Sequence, residues 1–259
     1  MKSKLFLSLL TIPLLLSSCS SYGSHYLLKD IDGCFSNEVF RKFDLVEVEK
    51  MMNTNNEFMI YFSSTGCSSC DQITEVLKDY LPTNRVLMYN LDYLDQRETV
   101  EFLVAKYPDT FKLEFPSMYI MKGTKVTQIP STKLNSSTRI SNTFYEYQHN
   151  ANVYYSNTNI IENIKKEPNK IPFSTFGYIS FDFDNESLMN GYNTHLSSYL
   201  ESLDFPVILC DFVDIEKQKP DQLFAAKLSV NQSGNIGTKN QTLTSDFSNI
   251  EFIKTVLNS

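Results

Sequence analysis

The fold is decided by an apolar run, Glu57-Phe58-Met59-Ile60-Tyr61-Phe62, and by the Cys67-Ser68-Ser69-Cys70 motif that follows it. The run is rich in aromatic and aliphatic side chains, which predicts a buried strand. After the motif, apolar residues recur with the spacing of one helix face, at Ile73, Val76, Leu77 and Tyr80. This pattern predicts a helix that begins near Cys67 and ends before Pro82.

The position of Cys67 at the start of the predicted helix gives the motif a chemical role. Unpaired backbone N–H groups and the positive end of the helix dipole stabilise a thiolate there and lower the pKa of the thiol. A thiolate attacks disulfides, and a second thiol one turn away, here Cys70, resolves the mixed disulfide. The motif is therefore a candidate redox centre.

The beginning of the chain is typical of an exported protein. Two lysines precede an apolar stretch over residues 5–16, which is shorter than the roughly 20 residues that span a bilayer. The next residues, Leu16-Ser17-Ser18-Cys19, resemble the lipobox of bacterial lipoprotein signal peptides. This resemblance implies that residues 1–18 are removed and that Cys19 carries a lipid anchor at the extracytoplasmic face of the membrane. An ordinary secretory peptide, with Cys19 incidental, is the alternative; both place the mature protein where disulfides persist.

Composition narrows the function classes. With 259 residues, 42% of them hydrophobic and 13% aromatic, the chain can bury a substantial core as one large or two small domains. Its formal net charge is −7, and it has no long basic run. The composition therefore argues against a nucleic-acid-binding protein and against binding to anionic lipids through a polybasic patch. Five cysteines are too few for a disulfide-stapled scaffold of this length.

Strand and helix patterns alternate through the first half of the chain. The predicted elements are helices at 45–52, after Cys70 and around 100–107, and strands at 57–62, 85–91, 115–121 and 125–129. This order predicts an α/β fold with helices on both faces of a sheet. A tether is expected over 19–41, and a polar linker over 149–172 that carries one short helix at 160–166.

Residues 42–148 resemble a thioredoxin domain. The strand and CxxC helix carry the likeness, together with a segment from Glu114 to Val126 that looks like the family's cis-proline strand and hairpin. Cys70 and Pro116 lie 46 positions apart, and a strand and a helix fill the interval, as in the family.

The resemblance implies a role for each of five residues. Cys67 would attack, Cys70 would resolve, and Pro116 in the cis form would shape a substrate groove flanked by Phe115 and Gly66. It implies an extracytoplasmic thiol–disulfide oxidoreductase that acts on cysteine-containing proteins and is reset by an unidentified membrane redox partner. No cofactor, whether metal, nucleotide or flavin, is implied, because the cysteines carry the electrons.

Several positions depart from the family pattern. Tyr61 stands where the family often has a buried carboxylate, six residues before the first cysteine. Gly66 replaces the usual aromatic residue, and Ser68-Ser69 replaces the usual Gly-Pro. Asp71 adds a negative charge that opposes thiolate stabilisation. These departures leave the reduction potential open.

The C-terminal region, residues 173–259, carries strand and helix patterns in the order βαβ and then ββα. It resembles a second, degenerate thioredoxin-like unit, with Asp182-Phe183-Asp184-Asn185 where the cysteines would stand. Such a unit would be inert in redox chemistry. Its aspartates, including Asp211 and Asp214, are better explained as helix caps and solvated loop residues than as cation ligands.

Other interpretations of the cysteines remain open. The Cys67–Cys70 pair is alternatively a structural disulfide in a thioredoxin-shaped binding module that has no activity. A zinc site is poorly supported, because the three histidines, His25, His149 and His195, are isolated along the chain. Cys34 and Cys210 form a bridge on one interpretation, whereas on the other Cys34 is free and Cys210 is buried in a strand.

Overall fold

The computed structural model describes residues 25–36, 38–147, 152–212, 219–245, 247 and 250–259. The first half contains β1 (Lys29–Asp30), α1 (Leu45–Met52), β2 (Glu57–Ser63), α2 (Ser68–Asn84), β3 (Met88–Asp92), α3 (Arg97–Lys106), β4 (Ser117–Lys122), β5 (Lys125–Ile129) and α4 (Ser137–Tyr147). The second half contains β6 (Val153–Ser156), α5 (Ile160–Lys166), β7 (Thr175–Phe181), α6 (Glu186–Gly191), α7 (Ser197–Glu201), β8 (Val207–Asp211), β9 (Leu223–Val230), β10 (Ile236–Thr244) and α8 (Ile250–Asn258). A π-helical segment, Tyr192–Leu196, joins α6 to α7.

The described strands form two sheets that repeat one topology. The first sheet has the order β3-β2-β4-β5, and the second has the order β1-β6-β8-β7-β9-β10. In the first, β2 runs parallel to β3 and antiparallel to β4, and β4 runs antiparallel to β5. In the second sheet, β7 runs parallel to β8 and antiparallel to β9, and β9 runs antiparallel to β10. The strands β8, β7, β9 and β10 thus correspond to β3, β2, β4 and β5. The predicted α/β, thioredoxin-like fold is confirmed, and the second region has the same core arrangement.

Strand β2 is buried along its whole length, which explains its unbroken apolar sequence. Phe58, Ile60 and Phe62 belong to a core cluster that contains residues of both sheets. Met59 and Tyr61 point to the opposite face and pack in a second cluster beneath α2 and α4. The strand that leads to the CxxC motif is therefore held rigidly from both sides.

The expected tether is packed against both sheets over part of its length. Leu27, Leu28 and Ile31 are buried, and β1 pairs with β6 in the second sheet. On its other side, Leu28 donates its backbone N–H to Glu57 O (2.8 Å) and accepts from Leu87 N–H (2.8 Å). Two short apolar pairs give no strand periodicity, so this role is invisible in the sequence. The range expected to be a linker likewise contains β6, together with the predicted helix α5.

The end of α2 differs from the prediction. The helix continues past Pro82 to Asn84, although the proline cannot donate a backbone hydrogen bond to the preceding turn. Arg85 then ends it in the left-handed region, with φ 58°, and donates its N–H to Leu81 O (2.7 Å).

Direct polar contacts join the two halves of the described chain. Lys50 in α1 pairs with Asp184 (2.8 Å) and Asp211 (3.3 Å) of the second half. The side chain of Asn193 in the π-helical segment donates to Asn53 O (2.8 Å) and accepts from the Asn55 N–H (2.8 Å). Asp211 was expected to be a helix cap or a solvated loop residue, and this is wrong: it ends β8, and its side chain is largely buried against Lys50. Asp184 is exposed in the loop after β7, and Asp214 lies outside the described residues.

Candidate functional site

The CxxC motif begins α2 directly after the carboxyl end of β2. Cys67 is the N-cap residue of the helix, with φ −89° and ψ 107°, and Cys70 lies one turn further on. Gly66 precedes it with φ +83°, a backbone conformation that favours glycine. The absence of the aromatic residue usual at this position therefore has a backbone reason.

Cys67 and Cys70 form a disulfide, with their Cα atoms 5.2 Å apart. The two sulfur-bearing side chains differ in access: Cys70 is 2% exposed, whereas Cys67 is half-buried. An incoming sulfur atom therefore reaches Cys67 first. This is the asymmetry that a nucleophile and a resolving thiol require.

Two polar groups in the first turn of α2 lie close to the Cys67 sulfur. The Cys70 N–H donates to Cys67 Sγ at 3.2 Å, and Ser69 Oγ lies 3.6 Å from the same atom. An N–H group and a hydroxyl at a helix N-terminus stabilise negative charge on sulfur. The arrangement favours a thiolate at Cys67 when the disulfide is reduced.

The predicted proline lies at the same end of the sheet. The Phe115–Pro116 peptide bond is cis, as the resemblance implies. Ser117 pairs with Phe62 in the antiparallel register, which places Pro116 opposite Ser63, at the start of the loop that leads to Cys67. The Phe115 ring lies 5.1 Å from that of Tyr93, which follows β3. The sheet therefore brings the CxxC loop, the cis-proline loop and the loop after β3 together.

Tyr61 supports the motif from beneath. Its buried hydroxyl donates to Cys70 O at 3.1 Å. Burial raises the pKa of Tyr61 to about 12, so the group is a neutral hydrogen-bond donor near pH 7. The sequence showed only a missing carboxylate at this position, and the structural role of the phenol was not predicted.

Asp92 is a site residue that the sequence reasoning missed. One carboxylate oxygen accepts from Thr65 Oγ (3.0 Å), and the other accepts from the Leu94 N–H (3.0 Å). It therefore ties the loop before Cys67 to the loop after β3. Its position at the carboxyl end of the strand beside β2 was a signal that could have found it.

The remaining cysteines lie elsewhere or beyond the described residues. Cys34 and Cys210 are both free and buried, so the bridge between them is not formed and that interpretation is wrong. Cys210 is fully buried in β8, where burial raises its pKa to about 12. Burial likewise raises the pKa of Cys34. Cys19, the predicted lipidation site, falls outside the described residues.

Neither metal-site geometry nor a spanning helix occurs in the part of the chain that the structure describes. No group of three or more His, Cys, Asp or Glu side chains there is arranged to hold a metal ion. No helix there is both long and apolar enough to cross a bilayer. His25 contacts Glu57 (3.0 Å), His195 is exposed, and His149 lies outside the described residues.

Comparison with known proteins gives only distant similarities. No family model matches the chain, and no curated protein matches it. Among solved structures, human ERp44 form I is 9% identical over 84% of this chain and 56% of that chain, with a TM-score of 0.31. The J-Trx1 fragment of ERdj5 is 14% identical over 42% of this chain and 50% of that chain, with a TM-score of 0.34. The chain spans about half the length of both, and the fold assignment rests on its own strand order and cis-proline.

Proposed function

We propose that this chain is an extracytoplasmic, lipid-anchored thiol–disulfide oxidoreductase that exchanges disulfides with cysteine-containing proteins. The observation that carries the proposal is the unequal access of the two sulfurs in a disulfide at a helix start. A purely structural disulfide has no need for one half-exposed cysteine that receives an N–H at 3.2 Å.

On this proposal the exchange has two steps. In the reducing direction, the Cys67 thiolate attacks a substrate disulfide, a Cys67–substrate bond forms, and one substrate thiolate leaves. The Cys70 thiolate then attacks Cys67 Sγ, the mixed disulfide breaks, and the second substrate thiolate leaves. The substrate gains two electrons, the pair becomes a disulfide, and a membrane redox partner must reduce it again. The oxidising direction is the reverse, and the reduction potential decides between them.

Lipid attachment at Cys19 fits the path of the described chain. The first described residue, His25, contacts Glu57 at the amino end of β2, whereas the disulfide follows the carboxyl end. Seven strand residues span about 23 Å. An anchor close before His25 would attach at the end of the first sheet opposite the disulfide and leave Cys67 accessible to other proteins.

The second sheet serves, on this proposal, as a support without redox chemistry. No cysteine lies in the loop directly after β7, where Asp184 pairs with Lys50 from α1. The contacts at Lys50 and Asn193 hold the two halves together.

Trapping of the mixed disulfide tests the proposed function. Without Cys70 no resolution occurs, so Cys70→Ser should accumulate covalent adducts with cysteine-containing proteins on non-reducing gels. Cys67→Ser should give none, and Cys210→Ser should trap no more than the unmodified chain. If Cys67→Ser and Cys70→Ser trap equally little while partner binding persists, the chain is a binding module with a structural disulfide.

A further inference from the structure

A cleft opens beside the CxxC loop on the outer side of β3. It has a volume of 510 Å³ and lies between residues 38–43 and the end of β3 with its following loop. Asp92 lines this cleft and also accepts the hydrogen bond from Thr65. Thr65 precedes Cys67 by two residues, so their Cα atoms are at most about 7 Å apart. The cleft therefore adjoins the reactive disulfide, on the opposite side of β2 from the cis-proline strand β4.

The charges that line the cleft are unbalanced. Its cations are engaged: Lys42 pairs with Glu38 (2.9 Å), and Arg41 donates to Asp30 (2.7 Å) and Glu47 (2.7 Å). Within the described ranges, no lysine or arginine pairs with Asp92 or with the exposed Asp95, both of which line the cleft. The neighbouring Arg97 is paired with Glu101 (2.8 Å). Two carboxylates are thus left to attract a cation.

The rest of the lining suits the stem of a long basic side chain. Val39, Phe40 and Phe43 contribute apolar surface. Lysine and arginine lay their methylene groups along such a surface while the charged end reaches a carboxylate.

We propose that this cleft binds a lysine or arginine of the protein substrate. At about 3.3 Å per residue of an extended peptide, this basic residue lies about two to four positions from the reacting cysteine. The inference rests on the proposed function and narrows its substrate class to thiol or disulfide segments with a nearby basic residue. Asp92 and Asp95 are the residues that determine this preference.

The test measures how fast Cys67 attacks matched peptides in the full chain carrying Cys70→Ser. Each peptide bears one cysteine as a mixed disulfide with thionitrobenzoate, and three peptides differ only in Lys, Gln or Glu at the flanking positions. The Cys67 thiolate attacks the peptide sulfur, a Cys67–peptide disulfide forms, and the coloured thionitrobenzoate thiolate leaves with the electron pair. The neutral reagent 2-hydroxyethyl disulfide is assayed in parallel.

We expect the Lys peptide to react about tenfold faster than the Glu peptide at low ionic strength, with the Gln peptide between them, because attraction replaces repulsion at two solvent-accessible carboxylates. One molar salt should bring the ratio close to one. Asp95→Asn should reduce the ratio about threefold, and Asp95→Lys should reduce it further. Asp221→Asn, which removes an exposed carboxylate of the second half, should leave the ratio unchanged.

Equal rates for the three peptides, together with reaction of 2-hydroxyethyl disulfide, would overturn the cleft proposal and leave the oxidoreductase intact. A ratio that Asp221→Asn lowers as much as Asp95→Asn would also overturn it, because net charge and not the cleft would then set the preference. Failure of Cys67 to react with any of the disulfides would overturn the proposed function, and this inference with it.

Discussion

At the scale of single residues, the decisive contrast is between four cysteines in different surroundings. Cys67 is half-buried at a helix start, Cys70 is 2% exposed, and Cys34 and Cys210 are buried and free. Burial raises the pKa of both free thiols, that of Cys210 to about 12, so they stay protonated and unreactive near pH 7.

Alkylation of the reduced, folded chain should therefore be strongly selective. We expect iodoacetamide at pH 7.5 to label Cys67 at least about tenfold faster than Cys70, Cys34 or Cys210, because exposure and thiolate character both favour it. Peptide mass spectrometry after timed quenching gives the four rates. Comparable labelling of Cys67 and Cys70 would contradict the assignment of distinct roles.

Tyr61 provides a second prediction at this scale. Removing the hydroxyl in Tyr61→Phe should lower the free energy of unfolding by about 1 kcal/mol at pH 7, since the hydrogen bond to Cys70 O is lost. An unfolded tyrosine ionises near pH 10, whereas the pKa of folded Tyr61 is about 12. Between these pH values only the unfolded state releases the proton. The contribution of Tyr61 to the free energy of unfolding is therefore complete below pH 10 and is lost as the pH rises towards 12.

Urea denaturation at pH 8 and pH 11 measures both effects. The unmodified chain should lose more stability between these two pH values than Tyr61→Phe does, because the variant lacks one group that titrates. An equal loss in the two proteins would show that Tyr61 does not contribute to the alkaline decline.

At the scale of helices and strands, turn glycines hold the site and the second sheet in place. Gly66 has φ +83°, and a Cβ added there would meet no atom within 4 Å, whereas Gly234 has φ +78° and a Cβ there would overlap Lys165 O. Gly66→Ala should therefore destabilise the fold by about 1 kcal/mol through backbone strain alone. Gly234→Ala should cost clearly more, and urea denaturation of both variants checks the order. Equal losses would contradict this reasoning.

Turn and capping residues predicted the bounds of several elements. Helices α1 and α5 and strand β5 lie at their predicted bounds, because polar, glycine or proline residues flank each of them. Strand β1 has two residues, and β6 begins in a polar stretch, so neither has a readable pattern. Their pairing depends on partners distant in the chain. The same holds for Asp92, whose role exists only through its contact with Thr65.

At the scale of the whole molecule, Arg41 binds the N-terminal segment to the first half. Its side chain, 9% exposed, donates to Asp30, Asp32 and Glu47, and its guanidinium lies 5.1 Å from the Tyr155 ring centroid of β6. Arg41→Ala would leave three carboxylates without their cation. We expect a loss of about 3–5 kcal/mol in the free energy of unfolding. Arg97→Ala, which breaks an exposed pair with Glu101, is the matched control and should cost less than about 1 kcal/mol.

Similar losses in these two variants, measured by urea denaturation, would show that the buried cluster adds no more stability than a surface pair. The sequence offered no means to foresee this cluster. Arg41 lies in the range expected to be a tether, and its partners come together only after both sheets have formed.

Whether Cys67 and Cys70 are a working redox pair is tested most directly by their reduction potential, measured by equilibration of the chain in glutathione buffers. A working pair should give a reversible two-electron couple between about −120 and −280 mV, lost in Cys67→Ser. A disulfide that resists reduction below about −300 mV would instead be a structural bond, and the pair would not be catalytic.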